Sequence, residues 1–555
     1  MENSTGKRTY RDLQEHIAEL KSRNLLYVID EPVNKDTEMS ALVRWQFRGG
    51  LREDQRKAFL FNNVTDSRGR DYTIPVVIGA LAANQDIYAA GMGTTVEGIA
   101  AKWEHAIANP VKPRLIKEAP CQAVIIEGED LLAEDGGLVR LPVPLSTPGF
   151  DSTPTLAATN VITRNPVSGS QNMGTYRAGL KSSNRLVVRM ATRVGGAEGY
   201  MHWKKHKECG EKLPCAIAVG CPPYVAFMGP QKLPIGMEEL DVAGGLAGEP
   251  INVVRARTVD LLVPAEAEVV IEGYVDTEML EPEGPFGESH GHVALEELNL
   301  PMKVTAITHR ENAVIPSYIS QVAPSESSVI KRVAYEPLFK AHLRDQLGIK
   351  GVRKVQLHEP LTGLLRVTII TLDPETPRTE VWRALYGAAS FKGDCGKITI
   401  AVNEDIDADN ADAILWAMGY RLNPADDVEV LRHRGQGHGP KRESGGEEDS
   451  TLLIDATMKS PMPPLALPTK PYMEVGKALW DKLGLPELRP ESPWHGYSLG
   501  DWSQVWEEAA ERAAASEWLE NGKRTLQRQV PANVTPETSV RDVEDGWEDE
   551  TEWKK

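Results

Sequence analysis

A chain of 555 residues exceeds the size at which a single hydrophobic core keeps growing, so two or three domains are expected, and a 41% hydrophobic share excludes wholesale disorder. Against 62 Lys and Arg stand 80 Asp and Glu, and the formal net charge of -18 repels nucleic acid and anionic lipid, so neither is an expected partner. No apolar run approaches the ~20 residues that cross a bilayer, and the polar start lacks the apolar stretch of a signal peptide, which points to the cytoplasm.

Leu13, Ile17 and Leu20 recur at helical spacing in a segment starting near Tyr10, and Leu26 to Ile29 and Ile74 to Ile78 read as short buried strands. With the helical stretch Val96 to Ala108 they predict a small α/β domain over residues 1–115, ending at the proline and lysine stretch Asn109 to Lys117. From Cys121 the texture changes to β-branched strands: Val124 to Glu127, Leu156 to Arg164, Leu186 to Thr192, Ala216 to Val219, Asn252 to Arg257, Glu268 to Val275 and Met302 to Thr308. The turn Asn165-Pro166-Val167-Ser168-Gly169 joins Thr159–Thr163 to the strand leading into Tyr176. This density of strands predicts a barrel or sandwich over residues 116–320.

After Gln321 helix and strand alternate again, with strands at Val352 to Leu357, Leu365 to Leu372 and Ile398 to Val402 and helices around Ser328 to Leu347 and Asp409 to Met418. That is a second α/β domain over 321–470, interrupted by a Gly-rich, charged stretch from Arg434 to Asp449 that reads as a mobile loop, and proline-rich over 461–468. An extension over 471–555 holds an Ala/Glu-rich helix from Trp502 to about Asn521 and then Glu537 to Glu552, whose acidic composition predicts disorder. The five cysteines (Cys121, Cys209, Cys215, Cys221 and Cys395) form neither a disulfide framework nor CxxC zinc pairs and read as small thiols in a reducing compartment. No Walker or GxGxxG phosphate loop stands in a strand-to-helix setting.

Two segments carry candidate chemistry: Asn172-Met173-Gly174-Thr175-Tyr176-Arg177, and Glu283-Gly284-Pro285-Phe286-Gly287-Glu288-Ser289-His290-Gly291-His292. Glycines on both sides of Pro-Phe force a tight path, so Glu283 and Glu288 can converge on one point. In one cavity with Arg177 they could divide the labour, the carboxylate paired with the arginine staying ionised while the other, desolvated, serves as a general acid/base. The alternative is that both are solvated turn charges and Arg177 a surface residue, which holds for most Glu pairs at such spacing.

The two segments together closely resemble the paired signature of the UbiD family of reversible decarboxylases, which use prenylated FMN. Leu141-Pro142-Val143-Pro144, Thr147-Pro148-Gly149, Pro214 to Gly220, Leu246 to Glu249 and Val263 to Glu266 follow in family order, so the resemblance covers most of residues 10–500. It implies an N-terminal α/β domain, a central split β-barrel like that of flavin reductases, and a C-terminal α/β domain that mediates dimerisation, in a homodimer or homohexamer. It also implies non-oxidative reversible decarboxylation of an aromatic acid, hydroxylated or not, with CO2 as the other partner and a flavin prenyltransferase supplying the cofactor.

Carried over by motif position, Glu288 is the proton donor and acceptor, and Arg177 and Glu283 complete its ionic network. Asn172 and Glu239 fall at the positions of divalent-metal ligands, Mn2+ or Mg2+ with K+ as a further ion; Thr175, Tyr176, Arg177, Arg189, Met190, Arg193 and Gly195 fall at the cofactor. The family places a metal-ligating histidine where this sequence reads Arg193-Val194-Gly195-Gly196, and Arg193 could bridge the phosphate instead. A phosphate-binding lysine also gives way to Thr451 or a neighbour, with Lys441, Arg442 and Lys459 in reach.

His290 and His292 are candidates for contacting a phenolic hydroxyl or second carboxylate on the substrate, or else satisfied, partly buried side chains. His202 and His206 stand at i, i+4, a spacing that could bind metal but reads better as an exposed, basic helix face. Two alternatives stand beside the free acid: an aryl-CoA thioester such as phthaloyl-CoA as substrate, or a non-catalytic flavin-binding subunit of a carboxylase complex.

Overall fold

The computed structural model describes residues 10–133, 135–190, 197–231, 233, 237–288, 291–319, 322–358, 366–391, 396–435, 448–460, 468–488 and 504–526. They divide into two compact units. One holds Met1–Ile370, Trp382–Ile400 and Glu429–Ile454, and the other Thr371–Val381, Ala401–Val428 and Asp455–Lys555. Both helix and strand run through the chain, giving a mixed α/β, multidomain fold.

In the first unit the opening helix Leu13–Ser22 starts at Asp12, whose side chain accepts the Glu15 N–H at 2.9 Å. The helical spacing of Leu13, Ile17 and Leu20 puts all three on its buried face. The first sheet has the order Leu26–Ile29, Ala58–Phe61, Val76–Ile78, Ile315–Ser317. Its last strand comes from far along the sequence and pairs in parallel with Val76–Ile78, Ile315 opposite Val76.

The large sheet has ten strands. The Asn165–Gly169 turn closes an antiparallel pair between Thr159–Arg164 and Gln171–Gly174, with Thr163 opposite Asn172, as its turn chemistry predicts. Gly169 adopts the left-handed conformation that such a turn requires (φ 76°). The spine is Glu297–His309, thirteen residues long, which pairs with Val269–Val275, Arg185–Val188, Glu281–Glu283 and Val124–Glu127. One strand therefore sets the register of Arg185–Val188 and Glu281–Glu283 together, and both lead directly into candidate functional residues.

A third sheet runs in the order Val352–Leu357, Val367–Leu372, Ile398–Asn403, Glu448–Asp455, Val428–Gly435. In the second unit the helix Ala411–Arg421 begins at Asn410, whose side-chain oxygen accepts the Asp412 and Ala413 N–H groups.

Two expectations are corrected. The helix Glu198–Glu208 does not expose His202 and His206: they are 1% and 5% accessible. His202 Nδ1 lies 2.9 Å from Thr163 Oγ1 and His206 Nε2 3.2 Å from the Arg164 carbonyl, so a pair read as a basic surface instead docks the helix on the sheet. Nor is the Ala/Glu-rich helix continuous. It forms Gln504–Ala514 and Trp518–Leu526, parted where Ser516 takes a left-handed conformation (φ 66°) that a helix cannot absorb. Cys121, Cys215 and Cys221 are buried thiols and Cys209 is exposed. Cys395, the 436–447 and 461–467 stretches and the acidic tail lie outside the described residues. Among those residues no helix is long and apolar enough to cross a membrane.

Candidate active site

Arg177 stands between two strands of the large sheet, Gln171–Gly174 and Ala178–Ser182. A Cβ on Gly174 would sit 2.6 Å from the Tyr176 ring, so the glycine lets that ring fold back over the strand end and turns the chain. Thr159 Oγ1 donates to the Tyr176 carbonyl at 2.7 Å and the Arg189 N–H to the Arg177 carbonyl at 3.0 Å, which pins the backbone. The guanidinium then reaches both acidic residues of the second motif. Nε and Nη2 donate to the two Glu283 oxygens at 2.6 and 3.0 Å, and Nη1 donates to Glu288 Oε1 at 2.5 Å. The plane also lies 4.5 Å from the centroid of the Phe286 ring.

The convergence of the two carboxylates follows from the loop. Glu283 ends the strand Glu281–Glu283, opposite Glu297, and Gly284 then passes so close to Ser152 that a Cβ would fall 1.6 Å from its Oγ. Phe286–Gly287 pairs back on Val293–Ala294, Gly291 takes φ 91°, and the Glu288 N–H donates to the His292 carbonyl at 2.9 Å. A hairpin with a flattened start thus brings both acids to one arginine. The expected division by pairing does not hold, because both carboxylates pair with Arg177, Glu283 through two bonds and Glu288 through one.

A second arginine joins them. Arg189, just beyond Arg185–Val188, donates from Nη1 to the same Glu288 Oε1 and from Nη2 to Glu297 Oε2 at 3.0 Å, while its Nε lies 3.9 Å from Glu283. Asn299 Nδ2 adds a 3.2 Å bond to Glu283. The side chains of Arg177, Arg189, Glu283 and Glu288 are all about one-tenth exposed or less, whereas Glu297 is 35% exposed. Glu297 and Asn299 were missed in the sequence. Their i, i+2 spacing on one strand face is the signal that could have found them. Asp151 was missed too: burial pushes its carboxyl up, opposed by the Ser146 and Thr147 N–H groups it accepts and by the nearby Arg177 charge.

Asn172 and Glu239 come together at a separate cavity of about 220 Å³, lined also by Arg164, Gln171, Met173 and Glu238. Glu239 opens the helix Glu239–Ala247 and accepts the Met173 N–H at 3.1 Å, and burial pushes its carboxyl up to about 7. The phenol of Tyr176 lies half-buried beside the Asn172 amide, and burial lowers its acidity. The side-chain oxygen of Asn172 and the desolvated carboxylate of Glu239, both lining the cavity, are the kind of ligand a hard cation prefers. Among the described residues no group of three or more His, Cys, Asp or Glu side chains is placed to hold a metal ion, so an ion here would also need oxygens from other groups.

The Thr175 N–H donates to the Gly229 carbonyl at 3.2 Å, and Met190 is buried with its sulfur against Gly199. The His292 side chain is exposed rather than partly buried. Arg193, Gly195 and His290, with Lys441 and Arg442, lie outside the described residues. Thr451 Oγ1 is spent on the Gly396 carbonyl at 2.7 Å, and Lys459 pairs with Asp427 at 3.1 Å.

The sequence matches three family models in succession, the N-terminal domain (residues 17–107), the Rift-related domain (114–322) and the C-terminal domain (328–456) of 3-octaprenyl-4-hydroxybenzoate carboxy-lyase, UbiD. The UbiD-class enzyme HmfF from Pelotomaculum thermopropionicum, solved in complex with FMN, is 27% identical with a TM-score of 0.71, over 81% of this chain and 95% of that one. An evolved dimeric form of HmfF solved with prFMN is similar at 27% identity and a TM-score of 0.69, over the same shares. Vanillic acid decarboxylase from Sedimentibacter hydroxybenzoicus shares the fold at 23% identity and a TM-score of 0.70, over 86% of this chain and all of the other.

Proposed function

Because the chain belongs to the UbiD family and is a carboxy-lyase, we propose that it decarboxylates an aromatic carboxylic acid reversibly and without net oxidation, using prenylated FMN, with Glu288 as proton donor and acceptor. One observation carries this reading: a buried carboxylate, Glu288, shares the guanidinium of Arg177 with a second buried carboxylate, Glu283. Loss of CO2 leaves an electron pair on carbon that must be protonated, and carboxylation requires the same carbon to give its proton up. A single acid that can hold or release a proton beside that carbon serves both directions.

Arg177 supplies the complementary function. Its fork is rigid, always charged and suited to a carboxylate, so a substrate carboxylate can compete with Glu288 for Nη1 while the two bonds to Glu283 keep the guanidinium in place. Moving Glu288 off that donor would favour its protonation as the substrate settles. Burial of the cluster keeps bulk water from quenching the reacting carbon.

Prenylated FMN, when bound, supplies the electron sink for the pair released with CO2. Asn172 and Glu239 would hold a Mn2+ or Mg2+ ion at its phosphate, and Thr175, Tyr176 and Met190 would line its seat. In solution the reading predicts a homo-oligomer that needs a flavin prenyltransferase for its cofactor.

The test is CO2 release from aromatic acids by cofactor-loaded protein. Glu288→Gln keeps the shape and removes the proton, and the rate should fall about 10²- to 10⁴-fold while flavin absorbance is retained. Undiminished turnover in that variant would remove Glu288 from the reaction.

A further inference from the structure

The ionic cluster contains a member that the proton-transfer reading does not use. Arg189 and Arg177 both donate to one oxygen of Glu288, and Arg189 also holds Glu297 Oε2 at 3.0 Å. We propose that Arg189 is a positioning residue that sets how tightly Glu288 holds a proton, and that Glu297 acts as the counter-charge limiting this effect. The proposal rests on the assignment of Glu288 as the proton-carrying group.

The geometry makes the argument. A guanidinium only donates, so an oxygen that accepts from two of them is held in its base form and oriented by both. Arg177 is committed to Glu283 through two bonds and gives Glu288 one; Arg189 gives Glu288 one and also reaches Glu297 and, at 3.9 Å, Glu283. Among the described residues the cluster gathers three carboxylates about two guanidiniums, so the hold on Glu288 depends on how each guanidinium is shared.

Glu297 is the member nearest solvent, 35% exposed against 11% for Glu288, so its pull on Arg189 is the part of the network that outside conditions can reach. The strands explain why the contacts exist. Glu297–His309 pairs with both Arg185–Val188 and Glu281–Glu283, which fixes the distance between Arg189, Glu297 and the carboxylate loop.

Among the described residues, the charged and titratable groups around Glu288 are Arg177 ahead of Ala178–Ser182, Arg189 after Arg185–Val188, Glu283 on Glu281–Glu283, Glu297 on the long strand, Asp151 within the field of Arg177, and His292, whose backbone carbonyl takes the Glu288 N–H. An opposite charge in contact lowers a carboxyl pKa by about 1–3 units. Removing Arg189 should therefore make Glu288 bind its proton about tenfold more tightly. Removing the Glu297 charge frees Arg189 for Glu288 and should shift it the other way.

The experiment is carboxyl-carbon titration of protein labelled with 13C at the glutamate side-chain carboxyl, the Glu288 resonance being identified by its loss in Glu288→Gln. Arg189→Gln should move its midpoint up by about one pH unit. Glu297→Gln should move it down, and Arg189→Lys should recover part of the original value. This readout needs no turnover, so it stands even if Glu288→Gln proves active and the reaction assignment fails. A Glu288 midpoint unchanged in Arg189→Gln, or unchanged in Glu297→Gln should the first variant not fold, overturns the proposal.

Discussion

At the scale of single residues, the contacts that matter are short and leave little tolerance. Gly284 is the clearest case, because its backbone passes where a Cβ would meet Ser152 Oγ at 1.6 Å and Ser152 Cβ at 2.8 Å. Overpacking of this kind costs about 1–3 kcal/mol and is relieved by moving the backbone. Here that backbone carries Glu283 on one side and leads to Glu288 on the other. Gly284→Ala should thus cut the CO2-release rate by about 10²-fold with only a modest fall in thermal midpoint, since a displacement near 1 Å is enough to spoil catalytic alignment. Combining it with Ser152→Gly should restore most of the rate; a double variant as slow as the single one would show that the contact is not the cause. The motif residues were legible in the sequence, and the convergence of their carboxylates was one of two open readings, because glycine and proline restrict the loop locally without fixing where it packs. Arg189, Glu297 and Asn299 were not legible as partners, because their meeting depends on strand pairing, across about a hundred residues for Arg189 and across 16 for Asn299 and Glu283.

At the scale of elements, the start of the helix Glu326–Ala341 ties distant segments together. Glu326 is 1% exposed and accepts the N–H groups of Leu81 and Ala82 at 3.1 and 3.2 Å. Burial raises its carboxyl from 4.5 to about 7. Between those values the folded chain holds a proton that the unfolded chain has released, so the stability from this group is fully present below pH 4.5 and is lost as pH rises through 7. His202, which burial lowers from 6.5 to about 4, works in the opposite sense: its contribution is present above pH 6.5 and lost as pH falls through 4. Glu326→Gln should remove the first effect. Its thermal midpoint should gain on the parent protein between pH 5 and pH 8, corresponding to on the order of 3 kcal/mol at full ionisation. A gap that stays constant across that range would count against the assignment. Element positions were read well where periodicity and turn chemistry agree, as at Leu26–Ile29 and Val352–Leu357, both found at the expected residues. They were read poorly where polar side chains face inward, as on the helix that buries His202 and His206.

At the scale of the whole molecule, the first sheet is completed by Ile315–Ser317, which joins after the large sheet has been laid down in sequence. Val76, Val77 and Ile78 are at most 1% exposed and would lose that covering strand in a short fragment, as Leu81 and Ala82 would lose Glu326. A fragment of residues 10–115 should therefore show no cooperative thermal transition by circular dichroism, although its composition reads as a small α/β domain. A sharp, reversible melt of that fragment would refute the dependence.

Residue order alone determined the family, the two acidic and basic motifs, many of the longer strands and a net acidic charge, because each is carried by neighbouring residues or by composition. Only the tertiary structure decided that both carboxylates meet one arginine, that a second arginine shares Glu288, and that the first sheet borrows a strand from far along the chain. Those are properties of strand register, which is set by hydrogen bonds between segments remote in sequence and leaves no local periodicity to read.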